Sequence, residues 1–422
     1  MKLPIIDYKN ISSYLFLLIA FFIPVWLKVA VPLLLIMVFF WIIEGKWKSS
    51  LYFIKKNKYA QLMILFWLLH LIGVLYSNNW KYGLQDVQQK LSLLIFPLVV
   101  LGFSNIENLS RDKVLRFFLL GSIVSGFVCL LNATIHTIHF ESGSIVFNAI
   151  PSDYDYENYF KYERLAFLHH PTYLSMYFTF AIAVVFRFYK DVVDSLFRKL
   201  FYGLTVVFFA ALIYLLNSRI GLIAGFLTII IGMIWLNKRN LYRILIGSTI
   251  VISIISLFFI FSFDSFNDAL AEVKYSAGYI FNRGAVGEGD GDMRLKIWSC
   301  IPNVMKQHYL FGHGTGDFHI VLNKEYVAQN LNDAAEKNLN AHNQFIETLI
   351  SLGFVGLITL VDLIFYPLVF KLKERDDLFI INSFLLIIVL NFMTESILSR
   401  IGGVIFFAFF YSVFFIYKEE LE

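Results

Sequence analysis

Six ionisable side chains stand where apolar segments of this chain begin or are just under way: Lys90, His169, His170, Arg219, His342 and Arg400. A charge at membrane depth is expensive, so its default reading is functional. These residues fall on one face of the pattern. They therefore describe a membrane-embedded site open to one compartment, carrying positive charge and a candidate base.

Four local patterns give that site its chemistry. In Asn217-Ser218-Arg219-Ile220-Gly221, Ser218 is a natural N-cap and Arg219 opens an apolar helix. Unpaired N–H groups, the positive end of the helix dipole and a guanidinium suit a phosphate. The plain alternative is an arginine snorkelling to the membrane surface. In Asp292-Met293-Arg294-Leu295-Lys296-Ile297-Trp298 the apolar positions recur at helical spacing. Arg294 and Trp298 lie one turn apart on a neighbouring face, which fits either a site helix or an interfacial helix on lipid headgroups.

The run from Phe311 to Phe318 alternates glycines around His313. It reads as a tight structural turn rather than a phosphate loop, because no strand precedes it. In Asn340-Ala341-His342-Asn343-Gln344-Phe345-Ile346-Glu347, His342 opens an apolar segment next to water. An ordinary imidazole titrates near pH ~6.5 and can move a proton at neutral pH. Glu347 lies just over a turn deeper and could support it only if the helix starts irregularly. Lys90 sits about two turns into its segment, and Pro171 after His169-His170 suits the first turn of a helix. Glu288, Asp290 and Asp292 alternate like a solvated turn rather than a calcium loop.

The elements that must position these residues are apolar helices. The chain has 422 residues, is 58% hydrophobic and only 16% charged, against roughly 25% charged in soluble domains. We read an all-α polytopic membrane protein with about 12 spans, near 11–27, 29–44, 60–76, 84–103, 114–138, 171–187, 200–216, 218–236, 242–262, 343–368, 378–394 and 400–417. Spans one and two, and seven and eight, should be tight hairpins.

Basic residues cluster in alternate connections, such as Lys46, Lys48, Lys55, Lys56 and Lys58, or Arg187, Lys190, Arg198 and Lys199. By the positive-inside rule both termini are expected in the cytoplasm. Two outside segments are long: the acidic, tyrosine-rich 139–170, and a large loop 263–341 with glycine-rich turns around Gly284–Gly291 and helical patterns over 293–304 and 321–338. This divides the chain into 1–262, 263–341 and 342–422. Cys129 and Cys300 have dissimilar surroundings, so no disulfide is expected, and the histidines lack a zinc-ligand pattern. No cleavable signal peptide and no inverted repeat stand out.

In combination, these motifs resemble the O-antigen ligase and O-antigen polymerase family of bacterial envelope glycosyltransferases. The resemblance is carried by Ser218-Arg219 at a mid-chain span, Arg294 and Trp298 on a helix of the long loop, Gly312-x-Gly314-x-x-x-Phe318, then His342-Asn343-x-Phe345 with Gly353-x-x-Gly356 beyond it. No single motif is specific; their order around one loop, over roughly residues 160–400, is what matches. The resemblance implies an inner-membrane enzyme, with its active site on the periplasmic side and no cofactor, metal or nucleic-acid partner. Its donor would be an undecaprenyl-pyrophosphate-linked glycan. Its acceptor would be a hydroxyl of lipid A-core for a ligase, or of another lipid-linked repeat unit for a polymerase.

The family's base falls on His342 and its pyrophosphate-binding cations on Arg219, Arg294 and Lys90. Ser218, Asn343, Glu347, His313, His170 and Trp298 are candidate supporting residues. Only one histidine can act there, since Ala341 precedes His342. The apolar bundle would hold the lipid tail, and an aromatic content of 18% would supply stacking surfaces for sugars. A flippase or transporter of lipid-linked saccharides would instead need charges through the midplane and symmetry between halves.

Overall fold

The computed structural model describes residues 8–103, 110–141, 144–147, 150–151, 156–157, 159–192, 195–236, 290–370 and 378–417. The helices are α1 Tyr8–Val25, α2 Leu27–Ile43, α3 Trp47–Ile54, α4 Lys58–Leu75, α5 Trp80–Gln89, α6 Ser92–Gly102, α7 Arg111–Thr137, α8 Tyr162–Leu165, α9 Pro171–Tyr189, α10 Leu196–Leu215 and α11 Arg219–Leu236. They continue with α12 Asp290–Met305, α13 Phe318–Ala328, α14 Asn332–Glu336, α15 Gln344–Phe370, α16 Leu378–Thr394 and α17 Ile401–Tyr411, which runs on into a π-helical turn Ser412–Ile416. Beside them, among the described residues, stand two short antiparallel hairpins: Ile138–Glu141 with Ser144–Phe147, and Ile150–Pro151 with Tyr156–Glu157.

Seven of these stretches are long and apolar enough to cross a membrane, or eight if the bent pair α2 and α3 is one span. Ile11–Val25, Leu378–Thr394 and Ile401–Ile416 are shorter apolar helices at three further expected positions. The expected span 242–262 lies outside the described residues, and so does most of the Gly284–Gly291 stretch with Glu288. The count of about twelve is therefore not reached among the described residues. One expected span is also less regular than its composition suggested. Residues 84–103 are two helices, α5 and α6, separated at Lys90 and Leu91.

Local chemistry sets many helix starts. Asn57 Oδ1 accepts the Ala60 N–H at 2.9 Å, and Ser110 and Ser195 cap α7 and α10 in the same way. Between α2 and α3 the chain turns by 91°. The Ser50 hydroxyl fixes that turn by donating to the Leu98 carbonyl at 2.6 Å and accepting from Trp41 Nε1 at 2.9 Å.

The bundle is packed with phenylalanine. Phe180 on α9 meets the rings of Phe118 on α7, Phe384 on α16 and Phe406, Phe410 and Phe414 on the last helix, at centroid distances of 4.8–6.2 Å. Lipid tails are as apolar as these side chains, so dispersion and ring geometry, rather than water exclusion, favour this packing. Other aromatic side chains, such as Phe39, Phe127 and Phe197, face outward from the bundle.

Helices α12 to α14 have a separate apolar core of Ile297, Cys300, Val304, Leu322, Tyr326 and Ala334. The amphipathic stripe of α12 is thus buried against protein. Cys129 and Cys300 are both free, in different cores. The glycine-rich turn joins this small core to the bundle. Gly312 has φ +67°, and a Cβ there would lie 2.6 Å from backbone atoms of residues 350–353; at Gly316 it would lie 2.2 Å from the Asn79 carbonyl oxygen. Asp317 ties the same seam, accepting from the Asn78 and Asn79 backbone N–H groups at 2.7 and 2.8 Å and from the Asn78 amide at 3.1 Å. The turn is structural, as its sequence suggested. Opposite it, Gly353 breaks α15 with φ 66°.

Candidate functional site

A cavity of about 940 Å3 opens where several helix ends meet. Its lining comes from the start of α9 (His169, His170, Thr172, Tyr173), the start of α11 (Asn217, Ser218, Arg219), one face of α12 (Met293, Arg294, Ile297), the segment entering α15 (Lys337, Asn340, His342), and the turn from α16 into α17 (Thr394, Glu395, Arg400, Gly402). Arg219, Arg294 and His342 are far apart in sequence and share this one cavity.

Each is placed by local structure. The Ser218 hydroxyl accepts the Gly221 N–H at 3.2 Å, the expected N-cap, so Arg219 is the first residue of α11 and is exposed to the cavity. Asn217 before it takes φ 49°, which closes the tight turn from α10. Arg294 is held by Glu395, with a 3.3 Å contact between guanidinium and carboxylate. His342 sits at φ 45°, a left-handed conformation uncommon outside glycine and asparagine.

Three neighbours hold that conformation in place. The His342 N–H donates to Asn340 Oδ1 at 3.0 Å, and the Ala341 carbonyl accepts from Trp298 Nε1 at 2.8 Å. Asn343 caps α15 by accepting the Ile346 N–H at 3.1 Å, and its amide donates to the Met393 carbonyl at 3.1 Å. Trp298 and Asn343 therefore act through His342's backbone.

Glu395 is the residue that the sequence reading missed. Its carboxylate lies between two site residues, with Oε1 3.3 Å from Arg294 and Oε2 3.5 Å from His342 Nδ1. The second distance is long for a hydrogen bond and close for a charge contact. Burial pushes the Glu395 carboxyl up, but His342, Arg294 and His170 together outweigh it and hold the group below its ordinary value. A signal was present: Glu395 is a lone acid ending an apolar run, the same irregularity that marks Arg400.

A stability prediction follows with its sign. The folded carboxyl is depressed, so its contribution is present above the ordinary carboxylate range of about 4.3 and is lost as pH falls through the lower folded value. In detergent, the melting temperature of the wild type should fall on acidification through that window. Glu395→Gln should melt lower than wild type at neutral pH and show a weaker acid dependence. Identical curves for the two proteins would remove Glu395's electrostatic role.

The histidines at the start of α9 differ from His342. His170 caps the helix, its Nδ1 accepting the Thr172 N–H at 3.4 Å ahead of Pro171, and burial lowers its pKa despite the nearby carboxylates of Glu395 and Glu163. Burial takes His169 down to about 4, opposed by the Val25 carbonyl within 3.3 Å of its Nε2. Both are neutral wall residues at neutral pH.

Five expected site residues do not line the cavity: Trp298 and Asn343, which brace the backbone around His342, and Lys90, Glu347 and His313. Lys90 is buried and pairs with Asp86 one turn before it on α5, so a charge-balanced partner inside the bundle has taken the cation expected at the pyrophosphate. Glu347 points away from His342 and accepts from the Ser399 hydroxyl. His313 Nε2 contacts the Val304 carbonyl at 2.7 Å beside the ring of His308. His70, Asp86, Lys90 and Glu347 are all buried, close enough to interact electrostatically, and off the cavity lining. Ionisable residues are thus not confined to the cavity face. Among the described residues, tyrosines reach the lining at Tyr162 and Tyr173 and no phenylalanine does.

Comparison with known proteins adds two findings. A sequence model of the family described as O-antigen ligase matches residues 204–361. That stretch contains Ser218, Arg219, Arg294, Trp298 and His342. Over 342 residues the chain is 20% identical to an uncharacterized protein of Haemophilus influenzae, covering 78% of this chain and 76% of that protein.

Proposed function

We propose that this membrane protein transfers a glycan from a lipid-linked pyrophosphate donor to an acceptor hydroxyl on lipid A-core, at a site open to the periplasm, a reading supported by the match of residues 204–361 to the O-antigen ligase family. The observation that carries the reading is the meeting of Arg219, Arg294 and His342 on one cavity at a set of helix starts.

The chemistry divides among these groups. The acceptor oxygen attacks the anomeric carbon of the first donor sugar while the bond from that carbon to the pyrophosphate oxygen breaks. The bonding pair leaves with the pyrophosphate, and the hydroxyl proton goes to His342. Negative charge grows on the leaving group, where Arg219 and the α11 N-terminus stand ready to meet it. Arg294, half-compensated by Glu395, is a second donor for the same oxygens. Since His342 Nδ1 faces Glu395, the carboxylate favours the tautomer with the proton on Nδ1, leaving the Nε2 lone pair for the acceptor. The apolar flanks of the bundle provide a course for the polyprenyl chain.

Purified protein, a lipid-linked glycan and a defined lipid A-core acceptor test this directly. Transfer that persists in the presence of a chelator is expected. No transfer to any hydroxyl acceptor, from a donor that a related enzyme uses, would sink the reading. A deletion strain separates the two acceptor classes: long but unattached chains indicate a ligase, single-repeat chains a polymerase.

A further inference from the structure

We propose that Arg400 is a further phosphate-binding residue of this cavity and sets its preference for a diphosphate over a monophosphate. The inference rests on the proposed function and deepens it.

Charge balance makes the first part of the argument. The described lining carries Arg219, Arg294, Arg400 and Lys337 against the single carboxylate of Glu395, and that carboxylate is already committed to Arg294 and His342. Arg400 is exposed to the cavity and has no carboxylate within salt-bridge distance among the described residues. Like charges gathered in one concavity repel, and a ligand with several negative charges relieves that repulsion. A diphosphate does so better than a monophosphate.

Helix geometry is the second, independent part. Ser218, His170 and Asn343 cap the starts of α11, α9 and α15 with a side chain. At the start of α17 the N-cap residue is Arg400, and no side chain caps it. Its first-turn N–H groups and dipole end are left for a ligand oxygen. Gly402 lines the cavity there beside Leu27, and its carbonyl accepts from the Tyr177 hydroxyl at 3.0 Å.

The turn that carries Arg400 is also held in place. The Leu398 N–H donates to Gln344 Oε1 at 2.7 Å, and the Ser399 hydroxyl donates to Glu347. Gln344 and Glu347 lie in the first turns of α15, directly after His342. Arg400 and the base are therefore mounted on one braced unit, and an anion held by the guanidinium is registered relative to the imidazole. This gives Glu347 a structural purpose outside the cavity.

The test uses full-length protein in detergent with farnesyl diphosphate, farnesyl monophosphate and farnesol as probes, for wild type, Arg400→Ala and Arg400→Lys. Wild type is expected to favour the diphosphate over the monophosphate and to ignore farnesol. Arg400→Ala should lose about tenfold or more in diphosphate affinity, with a much smaller change for the monophosphate. Arg400→Lys should recover part of the loss, because it restores charge without the planar fork. The side chain is exposed, so melting temperatures should stay close to wild type. Equal loss for both phosphates, or no loss, overturns the role of Arg400 and leaves the proposed function standing. A wild type that does not prefer the diphosphate to farnesol overturns both.

Discussion

His342→Asn is expected to cut glycan transfer by about 10²–10⁴-fold, the range a positioned general base contributes, while the protein still inserts and melts near the wild-type temperature. Asparagine is the informative replacement. The backbone at His342 has φ 45°, which asparagine tolerates far better than alanine or a branched residue. The variant therefore removes the imidazole without adding strain at the start of α15. The measurement is the initial rate of transfer from a lipid-linked donor at saturating acceptor, together with attachment of polysaccharide in a complemented deletion strain. Wild-type transfer by this variant would mean that another group takes the proton. His170 and His169 are the nearest imidazoles on the lining, and both are already held neutral and engaged with backbone.

Loss of Arg219 should be comparable. Removing one preorganised donor aimed at developing negative charge lowers turnover by roughly 10²–10³-fold in well-studied cases. Arg219→Ala is expected to fall in that range, with Arg219→Lys intermediate because an ammonium keeps the charge but not the bidentate geometry. The start of α11 should survive either change, since its cap is the Ser218 hydroxyl. The decisive comparison is turnover against apparent affinity at saturating donor. A change confined to affinity would place Arg219 in ground-state binding, and an unchanged rate in both would remove it from the site.

These residues were legible because the membrane makes their cost visible. A guanidinium after a serine at the head of an apolar helix, or an imidazole between a polar loop and an apolar run, stands out against hydrocarbon. The hairpin at 216–218 and the helical character of 293–304, observed as Asp290–Met305, were readable for similar reasons: near-absent linkers and apolar spacing. Lys90 was misplaced because depth along a helix says nothing about facing. Its partner Asp86 is four residues earlier, a spacing that itself argues for an internal pair.

Glu395 was passed over for a related reason. Its significance comes from two residues 101 and 53 positions away in the chain, and local pattern does not reveal which cation a lone acid will meet. The phenylalanines were read as available surface, whereas helix packing in a lipid-like medium uses them first. The break of α15 at Gly353 was signalled by a glycine. Its cause lies in the backbone at Leu310 and Phe311, which passes too close for a Cβ.

The Asp317 tie has a consequence for how the small core of α12 to α14 can move against the bundle. One carboxylate holds two backbone amides and a side-chain amide of residues 78–79, and the glycines beside it leave no slack. That seam anchors the start of α13 to the turn between α4 and α5. Any shift of α13 away from the turn between α4 and α5 must therefore break three hydrogen bonds to one carboxylate at once.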